Sequence, residues 1–496
     1  MSTPSRSRSV ITLLMLLLIT LGLILWTSLG PGTRAPSAEI PLPTPVALLP
    51  TVTPLPPAPT PLPTPPPPSP PTLFGTEIYV GRVDREAPLA QAAGFTFMRH
   101  DLLWWNRIEA RQYYYEWPEK ESQEIAILSA YGLTPIAVIH NAPDWAQASP
   151  GSACGPVHPD ALADFARFLT AAVKRYSQPP YNVHHWEIWN EPDAPLVAED
   201  KGWGCWGRPD LPNWGGEAYA ELLKTAYPAI KSADPTATVI MGGLLLGCPQ
   251  DPGALAKCND HSGRFLEGVL AAGGGDFFDV LSFHSYAYFW DGDLREDFEG
   301  SNPDWVEPGG VLAGKVNLLR AVLAQHGLAD KPLIMGEGGL LCSPYSAQCV
   351  QNEKSVAGPD FEQAQANYAV RLFVRCLALK LDACIWYTLS GPGWRDGGLL
   401  ADGQGTPRPA YTAIAHLAGL LGNADYVESL ASGPVEGHRL RSGVDGEVYD
   451  IYWTNQDPGE ATVRSVLPVL DGTATDIFGN PIPAAVGFEP VIIGTP

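Results

Sequence analysis

Two glutamates stand directly after short apolar runs, and their positions suggest chemistry performed by a pair of carboxyl groups. Glu191 lies in the stretch HHWEIWNEPD, and Glu337 ends the stretch PLIMGE. If both runs open onto one mouth, the two groups can divide the work of glycoside hydrolysis: one protonates the leaving oxygen and the other attacks the anomeric carbon. Glu191 and Glu337 are therefore the candidate catalytic residues.

Other polar and aromatic side chains occupy comparable positions and are candidate substrate-binding residues. Guanidinium, amide, imidazole and phenol groups can hydrogen-bond sugar hydroxyls, and flat aromatic rings can pack against sugar rings. The set comprises Arg99, His140, Asn190, His284, Tyr286 and Trp386, with Trp145, Trp189 and Trp394 as further aromatic faces.

Several of these side chains have a purely structural alternative. Arg99 can form an ion pair beneath the site, and Trp386 can belong to the core. His140 and His284 can be barrel-rim histidines without a ligand contact. Glu187 lies deeper in the same apolar run as Glu191, so we predict that it is a buried structural carboxylate.

The elements that would bring these side chains together are eight short apolar runs separated by longer amphipathic stretches. The predicted strands are Glu77–Val80, Phe95–Arg99, Thr134–Ile139, Val183–Trp189, Thr238–Gly243, Val280–His284, Pro332–Gly336 and Ala383–Tyr387. The helical patterns include Asp160–Tyr176, Gly216–Ala233, Val311–Gln325 and Phe361–Leu379. This repetition predicts an α/β fold of the (β/α)8 TIM barrel type, whose functional residues lie at the carboxyl ends of the strands. A doubly wound open sheet is the alternative, but no G-x-G-x-x-G motif follows the first strand.

The chain outside the barrel divides into three further segments. Residues 1–35 contain an uncharged run, Val10–Leu29, which at ~1.5 Å per residue would just cross a ~30 Å hydrocarbon core. We expect a transmembrane signal anchor that places the following chain outside the cell, or a cleaved signal peptide of a secreted protein. Residues 36–72 include 17 prolines in 37 positions and predict an extended stalk. The barrel occupies residues 73–422, and 423–496 read as a small antiparallel β domain.

The composition excludes several classes of ligand. The chain carries 31 Lys and Arg against 53 Asp and Glu, a formal net charge of −22, so a nucleic-acid partner is not expected. The sequence contains no C-x-x-C pair and no H-E-x-x-H motif, so neither a metal nor another cofactor is expected.

Eight cysteines suit an oxidising compartment. The predicted disulfide pairs are Cys248 with Cys258, Cys342 with Cys349, and Cys154 with Cys205. Cys376 and Cys384 lie in apolar runs and are predicted to be buried thiols.

The pattern WNEPD, with a second glutamate after the seventh strand, resembles the clan A glycoside hydrolases, which are retaining barrel enzymes. The stretches RHDLLWWNRIEA, YYYEW and LTPIAVIHNAPDWA look most like family 39, with families 5 and 30 as near relatives. The resemblance covers about Leu73–Gly422, and the later segment ending in TDIFGNPI is similar to an accessory β-sandwich of these families. Gly338 and Gly339 are a departure, because relatives often carry an aromatic residue or Asn after the second glutamate.

The resemblance implies that Asn190 binds the sugar near its 2-hydroxyl, that Glu191 is the acid/base and that Glu337 is the nucleophile. We therefore expect a monomeric, surface-anchored retaining glycosidase that cleaves β-glycosidic bonds in plant or microbial poly- or oligosaccharides. One alternative is a noncatalytic carbohydrate-binding or adhesion protein, favoured if either glutamate is displaced from the mouth. The other is a transglycosylase, which would share every residue named.

Overall fold

A computed structural model describes most of the chain after the proline-rich segment. The described residues are 72–100, 103–149, 156–195, 206–247, 262–290, 305, 310–342, 350–351, 354–355, 359–390, 397–401, 405–454 and 473–495. Within these ranges, no helix combines the length and apolarity needed to cross a membrane. The predicted anchor, Val10–Leu29, and the predicted stalk up to residue 71 lie outside the described residues.

Eight parallel strands form a closed barrel, which confirms the predicted TIM barrel. The strands are β1 (Phe74–Glu77), β2 (Phe97–His100), β3 (Thr134–Ile139), β4 (His185–Asn190), β5 (Thr238–Leu244), β6 (Val280–Trp290), β7 (Leu333–Cys342) and β8 (Ala383–Trp386). Each strand pairs with its neighbours in sequence, and β8 closes the barrel on β1. The carboxyl ends of all eight strands therefore share one mouth.

Helices surround the barrel. They are α1 (Val83–Ala92), α2 (Trp105–Ile108), α3 (Glu119–Ala130), α4 (Leu162–Tyr176), α5 (Gly216–Ala233), α6 (Phe265–Ala271), α7 (Val311–Gln325), α8 (Pro359–Ala378) and α9 (Pro409–Leu421). Short 3-10 turns occur at Asp144–Ala146, Pro159–Ala161, Ser262–Arg264 and Gly274–Phe277. In α4 the buried side chains recur at helical spacing, from Phe165 through Phe168 and Leu169 to Tyr176, so one apolar stripe faces the barrel.

Strand β1 begins at Phe74, whereas the sequence predicted Glu77–Val80. Phe74 is fully buried and stacks on Phe373 of α8, with ring centroids 4.6 Å apart. Gly75 fits between neighbouring strands because a Cβ atom there would lie 2.2 Å from Ile385 Cδ1. The correction matters for the site, because it places Glu77 at the mouth end of β1 instead of at its start.

The chain enters the barrel at Thr72, on the face opposite to the mouth. The Thr72 hydroxyl donates to the Gly94 carbonyl oxygen at 3.0 Å, and the Thr72 N–H donates to Thr96 Oγ1 at 2.9 Å. Both partners precede β2, so these bonds fix the entering chain at the amino-terminal ends of the strands.

The C-terminal segment forms the predicted antiparallel sheet. Its strands are β9 (Asp425–Ser429), β10 (Val435–Arg441), β11 (Val448–Thr454), β12 (Thr473–Thr475) and β13 (Val491–Thr495), in the order β9-β10-β11-β13-β12. Two short pairs lie elsewhere, Val350–Gln351 with Lys354–Ser355 and Leu400–Ala401 with Thr406–Pro407. The described part of the C-terminal segment is one five-stranded sheet, and the second sheet of a sandwich stays a prediction.

Helix α8 joins this sheet to the barrel. Arg375 of α8 donates from Nε and Nη2 to the Glu436 carboxylate of β10, at 2.9 and 2.6 Å. Arg371 of the same helix donates to the Phe488 carbonyl oxygen, and its guanidinium lies 4.1 Å from the centre of the Phe488 ring. The barrel and the sheet therefore share a polar interface built on one helix.

The prediction that Cys376 and Cys384 are free thiols is wrong. Both side chains are fully buried as expected, but they form a disulfide that joins α8 to β8, with Cα atoms 6.4 Å apart. The packing of α8 against β8 brings the two sulfur atoms together, which the apolar runs alone do not indicate. Cys342 is also disulfide-bonded. Its predicted partner Cys349 and the other four cysteines, Cys154, Cys205, Cys248 and Cys258, lie outside the described residues.

Candidate active site

Glu191 and Glu337 meet at the mouth of the barrel, with His284 between them. One carboxylate oxygen of each glutamate and a ring nitrogen of His284 all lie within 4.8 Å of one another. His284 Nδ1 is 2.9 Å from Glu191 Oε1 and 3.5 Å from Glu337 Oε2. These three groups could also ligate a metal ion, and the expected absence of a metal stays a prediction.

The backbone at the end of β4 explains how Glu191 reaches this position. In a regular strand successive side chains point to opposite faces, so neighbours would not both face the mouth. Trp189 and Glu191 have φ values of 74° and 45°, in the left-handed region that side-chain-bearing residues rarely adopt. The regular alternation is broken here, and Asn190 and Glu191 both contact residues of the site.

The Glu337 carboxylate accepts two hydrogen bonds from the barrel interior. Arg99 Nη1 donates to Oε1 at 2.7 Å, and the Tyr286 hydroxyl donates to Oε2 at 2.7 Å. Burial, reinforced by the nearby Glu337 charge, raises the pKa of Tyr286 well above its usual value, so the phenol keeps its proton and remains a donor. The Glu337 carboxylate is thus held by one ion pair and one neutral hydrogen bond.

Arg99 lies beneath the carboxylates, in the arrangement that the ion-pair alternative describes. It donates to both Glu187 oxygens, at 2.9 and 3.0 Å, and to Glu77, Glu337 and Asn190 at 3.3, 2.7 and 2.6 Å. These contacts use all five N–H groups of a guanidinium. Burial opposes the charge, but the surrounding carboxylates outweigh it and raise the pKa of Arg99 well above its usual value. We infer that Arg99 positions Asn190 and Glu337, and a direct contact with substrate stays a prediction.

Burial shifts the pKa values of Glu191 and His284 in opposite directions. It raises the pKa of Glu191 to about 7, although the positive charges of Arg99 and Lys315 oppose this. It lowers the pKa of His284 to about 4, although Glu337 favours the charged imidazole. At neutral pH the imidazole is therefore uncharged, and a large fraction of Glu191 carries a proton.

His284 is itself held in place by its backbone and by close packing. Lys315 of α7 donates to the carbonyl oxygens of His284 and Leu245, at 2.9 and 2.7 Å. A Cβ atom on Gly243 would lie 2.1 Å from His284 Nε2, so only glycine leaves room for the ring. These contacts fix the imidazole that contacts both glutamates.

Three of the other predicted residues are buried, namely Trp386, Trp189 and His140. Trp386 is fully buried, and its Nε1 donates to the Gly397 carbonyl oxygen at 2.9 Å, as its core alternative describes. Trp189 is also fully buried and packs edge-on against Trp206, which leaves it no open face for a sugar. His140 is buried at the end of β3 beside the Trp104 ring.

Trp145 packs against the segment that contains Trp105 and Glu109. Its Nε1 donates to the Glu109 carbonyl oxygen at 3.1 Å, and its ring packs against Trp105. Trp394 lies outside the described residues. Substrate contacts by His140, Trp145 and Trp386 stay predictions.

Three further side chains contribute to the site and are not among the predicted site residues. Glu77 contacts Arg99, and the rule that strand-ending polar residues face the mouth would have found it with the correct bounds of β1. Tyr387, directly after β8, hydrogen-bonds Tyr79 through the hydroxyls at 2.7 Å and lies edge-on to Tyr286. Lys315 is on a helix, and nothing in its local sequence pattern indicates a role at the mouth.

Several solved structures with a similar fold are glycoside hydrolases. A family 39 glycoside hydrolase from Bacteroides cellulosilyticus WH2 has a TM-score of 0.62 at 22% identity, covering 86% of this chain and 81% of that one. The endo-β1,6-glucanase BT3312 has a TM-score of 0.53 at 12% identity, with 85% and 90% covered. A family 30 endoxylanase from Clostridium papyrosolvens C71 has a TM-score of 0.50 at 15% identity, with 77% and 81% covered. At these identities the likeness supports the fold.

No curated protein sequence matches the chain. The family model described as Cellulase (glycosyl hydrolase family 5) matches residues 84–340, slightly more than half of the 496 residues. This span runs from α1 to β7 and includes both glutamates. The predicted membership of clan A is confirmed, and the protein is a glycosidase of the cellulase family, glycosyl hydrolase family 5.

Proposed function

We propose that the protein hydrolyses β-glycosidic bonds in poly- or oligosaccharides with retention of configuration. The observation that carries the proposal is the short separation of the two carboxyl groups, whose nearest oxygens lie within 4.8 Å. Retaining sites place these groups ~5 to 5.5 Å apart, and inverting sites leave ~6.5 to 9.5 Å for a water molecule. The short separation favours direct attack by one glutamate.

The reaction would proceed in two displacements. Glu337 attacks the anomeric carbon while Glu191 protonates the departing oxygen, which breaks the glycosidic bond and leaves a glycosyl ester on Glu337. The ionised Glu191 then takes a proton from water as the water oxygen attacks the same carbon and releases Glu337. Both glutamates end the cycle in their starting protonation states.

The surrounding groups support this division of roles. Glu337 is paired with Arg99, as a carboxylate nucleophile requires. Glu191 has a pKa raised to about 7 by burial, as a proton donor near neutral pH requires. Both glutamates are at the mouth, so the displacement that a noncatalytic adhesion protein would require is not observed.

The wider biological setting is also part of the proposal. Asn190 lies beside Glu191 and would contact the sugar near its 2-hydroxyl, as the resemblance implies. The substrate would be a plant or microbial polysaccharide or its fragments, and the enzyme would act as a monomer. Val10–Leu29 would anchor it at the cell surface with the barrel outside, or would be cleaved to release a secreted enzyme.

The decisive experiment combines nucleophile rescue with product analysis. Glu337→Ala should abolish turnover of activated β-glycosides, and azide should partly restore it by giving the α-azide. Glu191→Ala should still form the intermediate from activated substrates and give the β-azide. Glu221→Ala, on the exposed face of α5, is the matched control and should behave as wild type.

NMR of the first-formed product provides the independent check. The wild-type enzyme should release the β-anomer first from a β-linked substrate. An α-anomer would show inversion and would remove Glu337 from the role of nucleophile.

A further inference from the structure

Two exposed tyrosines lie on the segment between α2 and α3, and neither belongs to the hydrogen bonds and ion pairs of the two glutamates. Tyr113 is 69% exposed and Tyr114 is 49% exposed, and they are the most exposed large aromatic side chains among the described residues. The same segment is joined to the end of β3, since Trp105 N–H donates to the His140 carbonyl oxygen at 3.0 Å. The tyrosines therefore belong to the mouth side of the barrel.

A buried carboxylate holds the segment in one conformation. Glu109 has no exposed surface and accepts hydrogen bonds from Trp105 Nε1 at 2.8 Å, from the Tyr113 N–H at 2.7 Å and from Arg167 Nη2 at 2.7 Å. Tyr113 has a φ of 67°, which is rare for a bulky residue and is maintained by these contacts. The rings are presented by a preorganised segment, so little entropy is lost when a ligand binds them.

Guanidinium groups support the two rings. The Arg167 guanidinium carbon lies 4.2 Å from the centre of the Tyr113 ring, and that of Arg111 lies 4.3 Å from the Tyr114 ring. A stacked cation covers one face of a ring and leaves the other available. The high exposure of Tyr113 shows that its second face is open to solvent.

A small cavity lies beside Tyr114. It has a volume of about 270 Å³ and is lined by Arg107, Ile108, Ala110, Arg111, Tyr114 and Glu116. This volume is slightly below the ~300 to 1,000 Å³ found for small-molecule sites, so it suits one ring-sized group. Among the described residues, the guanidinium groups of Arg107 and Arg111 lie over aromatic rings and form no hydrogen bond or ion pair, and Glu116 has no ion-pair partner. Their donors and acceptor are available to a ligand.

This combination of groups fits a carbohydrate better than a protein surface. A sugar ring has an apolar face that packs on an aromatic ring and hydroxyl groups that bond to guanidinium and carboxylate groups. A stable protein interface needs ~800 Å² from each partner, and the other exposed apolar residues of the described chain, such as Val80 and Leu211, belong to different segments.

We propose that Tyr113, Tyr114, Arg107, Arg111 and Glu116 form a second carbohydrate-binding site, which we name the tyrosine site. It holds a distant part of a polysaccharide chain while cleavage takes place at Glu191 and Glu337. The inference rests on the proposed function and extends it, because it identifies the substrate as a polymer and not a short fragment.

The test compares polymer binding with turnover of a small substrate. The Tyr113→Ala/Tyr114→Ala variant of the full chain should bind insoluble β-glucan or xylan about tenfold more weakly, as expected for the loss of two aromatic contacts. Its kcat/KM on an aryl β-glycoside should stay within about twofold of wild type, because the hydrogen-bond partners of the two glutamates are Arg99, Tyr286 and His284 and not these tyrosines. Tyr113→Phe/Tyr114→Phe keeps the rings and is the matched control, with binding expected at the wild-type level.

The outcomes separate this proposal from the proposed function. Binding is measured in the Glu337→Ala background, so it does not require turnover. Unchanged polymer binding by the double alanine variant would overturn the tyrosine site. A fall in kcat/KM on the aryl glycoside as large as the fall in polymer affinity would also overturn it. A wild-type chain that binds no polysaccharide of the panel would also overturn it. Tyrosine-dependent binding of a polymer that is not cleaved would instead contradict the proposed function alone.

Discussion

The two glutamates at the barrel mouth have different neighbouring groups, which suit them to different roles in the proposed reaction. Glu337 accepts hydrogen bonds from Arg99 and Tyr286, whereas Glu191 faces an uncharged His284 in a buried position. The difference arises from what surrounds each carboxyl group, since the side chains are identical. A neutral imidazole can contact both glutamates without adding a positive charge that would favour ionisation of Glu191.

The pH dependence of activity should report the proton on Glu191. Burial raises the pKa of this carboxyl to about 7, and the acid form is required to protonate the leaving group. We expect kcat/KM for a substrate with a poor leaving group to fall about tenfold per pH unit above pH 7. The measurement is kcat/KM from pH 5 to 9.

A second substrate serves as the control. A dinitrophenyl glycoside needs no protonation of its leaving group, so its kcat/KM should lack the decline above pH 7. The same decline with both substrates would assign it to another group or to unfolding.

At the scale of elements, the sequence predicts the part of the site that depends on the apolar runs of the barrel strands. Glu191 and Glu337 lie close together at the mouth because parallel strands of a closed barrel converge there, and their catalytic roles stay predictions. Glu191 directly follows β4, whereas Glu337 lies within β7, which continues beyond its predicted end at Gly336 to Cys342. Thr134–Ile139, Gly216–Ala233 and Val311–Gln325 have the predicted bounds, because apolar residues recur there with the period of their element.

The rest of the site depends on contacts between distant parts of the chain. Lys315 is an ordinary helical lysine in sequence, and only the packing of α7 brings its ammonium group to the His284 carbonyl oxygen within β6. The Cys376 to Cys384 bridge likewise depends on how α8 packs on β8. Trp189 and Glu191 adopt left-handed backbone conformations. The periodicity of apolar side chains in the sequence does not predict these conformations.

Helix α7 should influence catalysis through Lys315. Lys315→Met removes the donor to the carbonyl oxygens of His284 and Leu245, together with a positive charge that lowers the pKa of Glu191. We expect kcat/KM to fall by about tenfold or more because His284 is less well positioned. The decline of activity above neutral pH should also move to higher pH, because the pKa of Glu191 rises.

Lys331→Met is the matched control for this prediction. Lys331 also donates to a backbone carbonyl, that of Phe278 at 2.7 Å, but it precedes β7 at the other end of the barrel. This variant should lose stability without any shift of the pH profile. Equal shifts in both variants would contradict a specific role for Lys315.

The narrow space between β1 and its neighbours should make Gly75 hard to replace. A Cβ atom there would lie 2.2 Å from Ile385 Cδ1 and 3.0 Å from Phe97 Cβ. Gly75→Val should therefore lower the free energy of unfolding by about 1–3 kcal/mol, as for other overpacked cores. Urea unfolding provides the measurement.

Gly419→Ala is the opposite case and the control. Gly419 is exposed within α9, and an added Cβ atom meets nothing within 4 Å. Alanine there should raise the free energy of unfolding by about 0.5–1 kcal/mol. A stabilising effect of Gly75→Val would contradict the placement of β1.

At the scale of the whole molecule, the barrel and the C-terminal sheet are coupled through α8. Arg375 and Glu436 form a largely buried ion pair across the boundary, with 11% and 19% of their side chains exposed. Such a pair leaves an uncompensated charge when one partner is removed. The sheet is therefore expected to contribute to the stability of the barrel.

Removal of one partner should reveal this coupling. Arg375→Ala should lower the free energy of unfolding by about 3 kcal/mol, because the largely buried Glu436 carboxylate loses its two hydrogen bonds from the guanidinium. The double variant Arg375→Met/Glu436→Leu should recover most of that loss. Calorimetry should show one cooperative transition for the wild type, and two separate transitions would contradict the coupling.

The entry of the chain at Thr72 has a practical consequence for handling the enzyme. The bonds from Thr72 to Gly94 and Thr96 fix the attachment point at the amino-terminal ends of the strands, whereas the two glutamates lie at the carboxyl ends. A bead or fusion partner joined ahead of Thr72 is therefore attached on the face opposite to the mouth. Immobilisation through that end should leave the catalytic face turned outward, so that even a solid substrate such as a plant fibre can reach it.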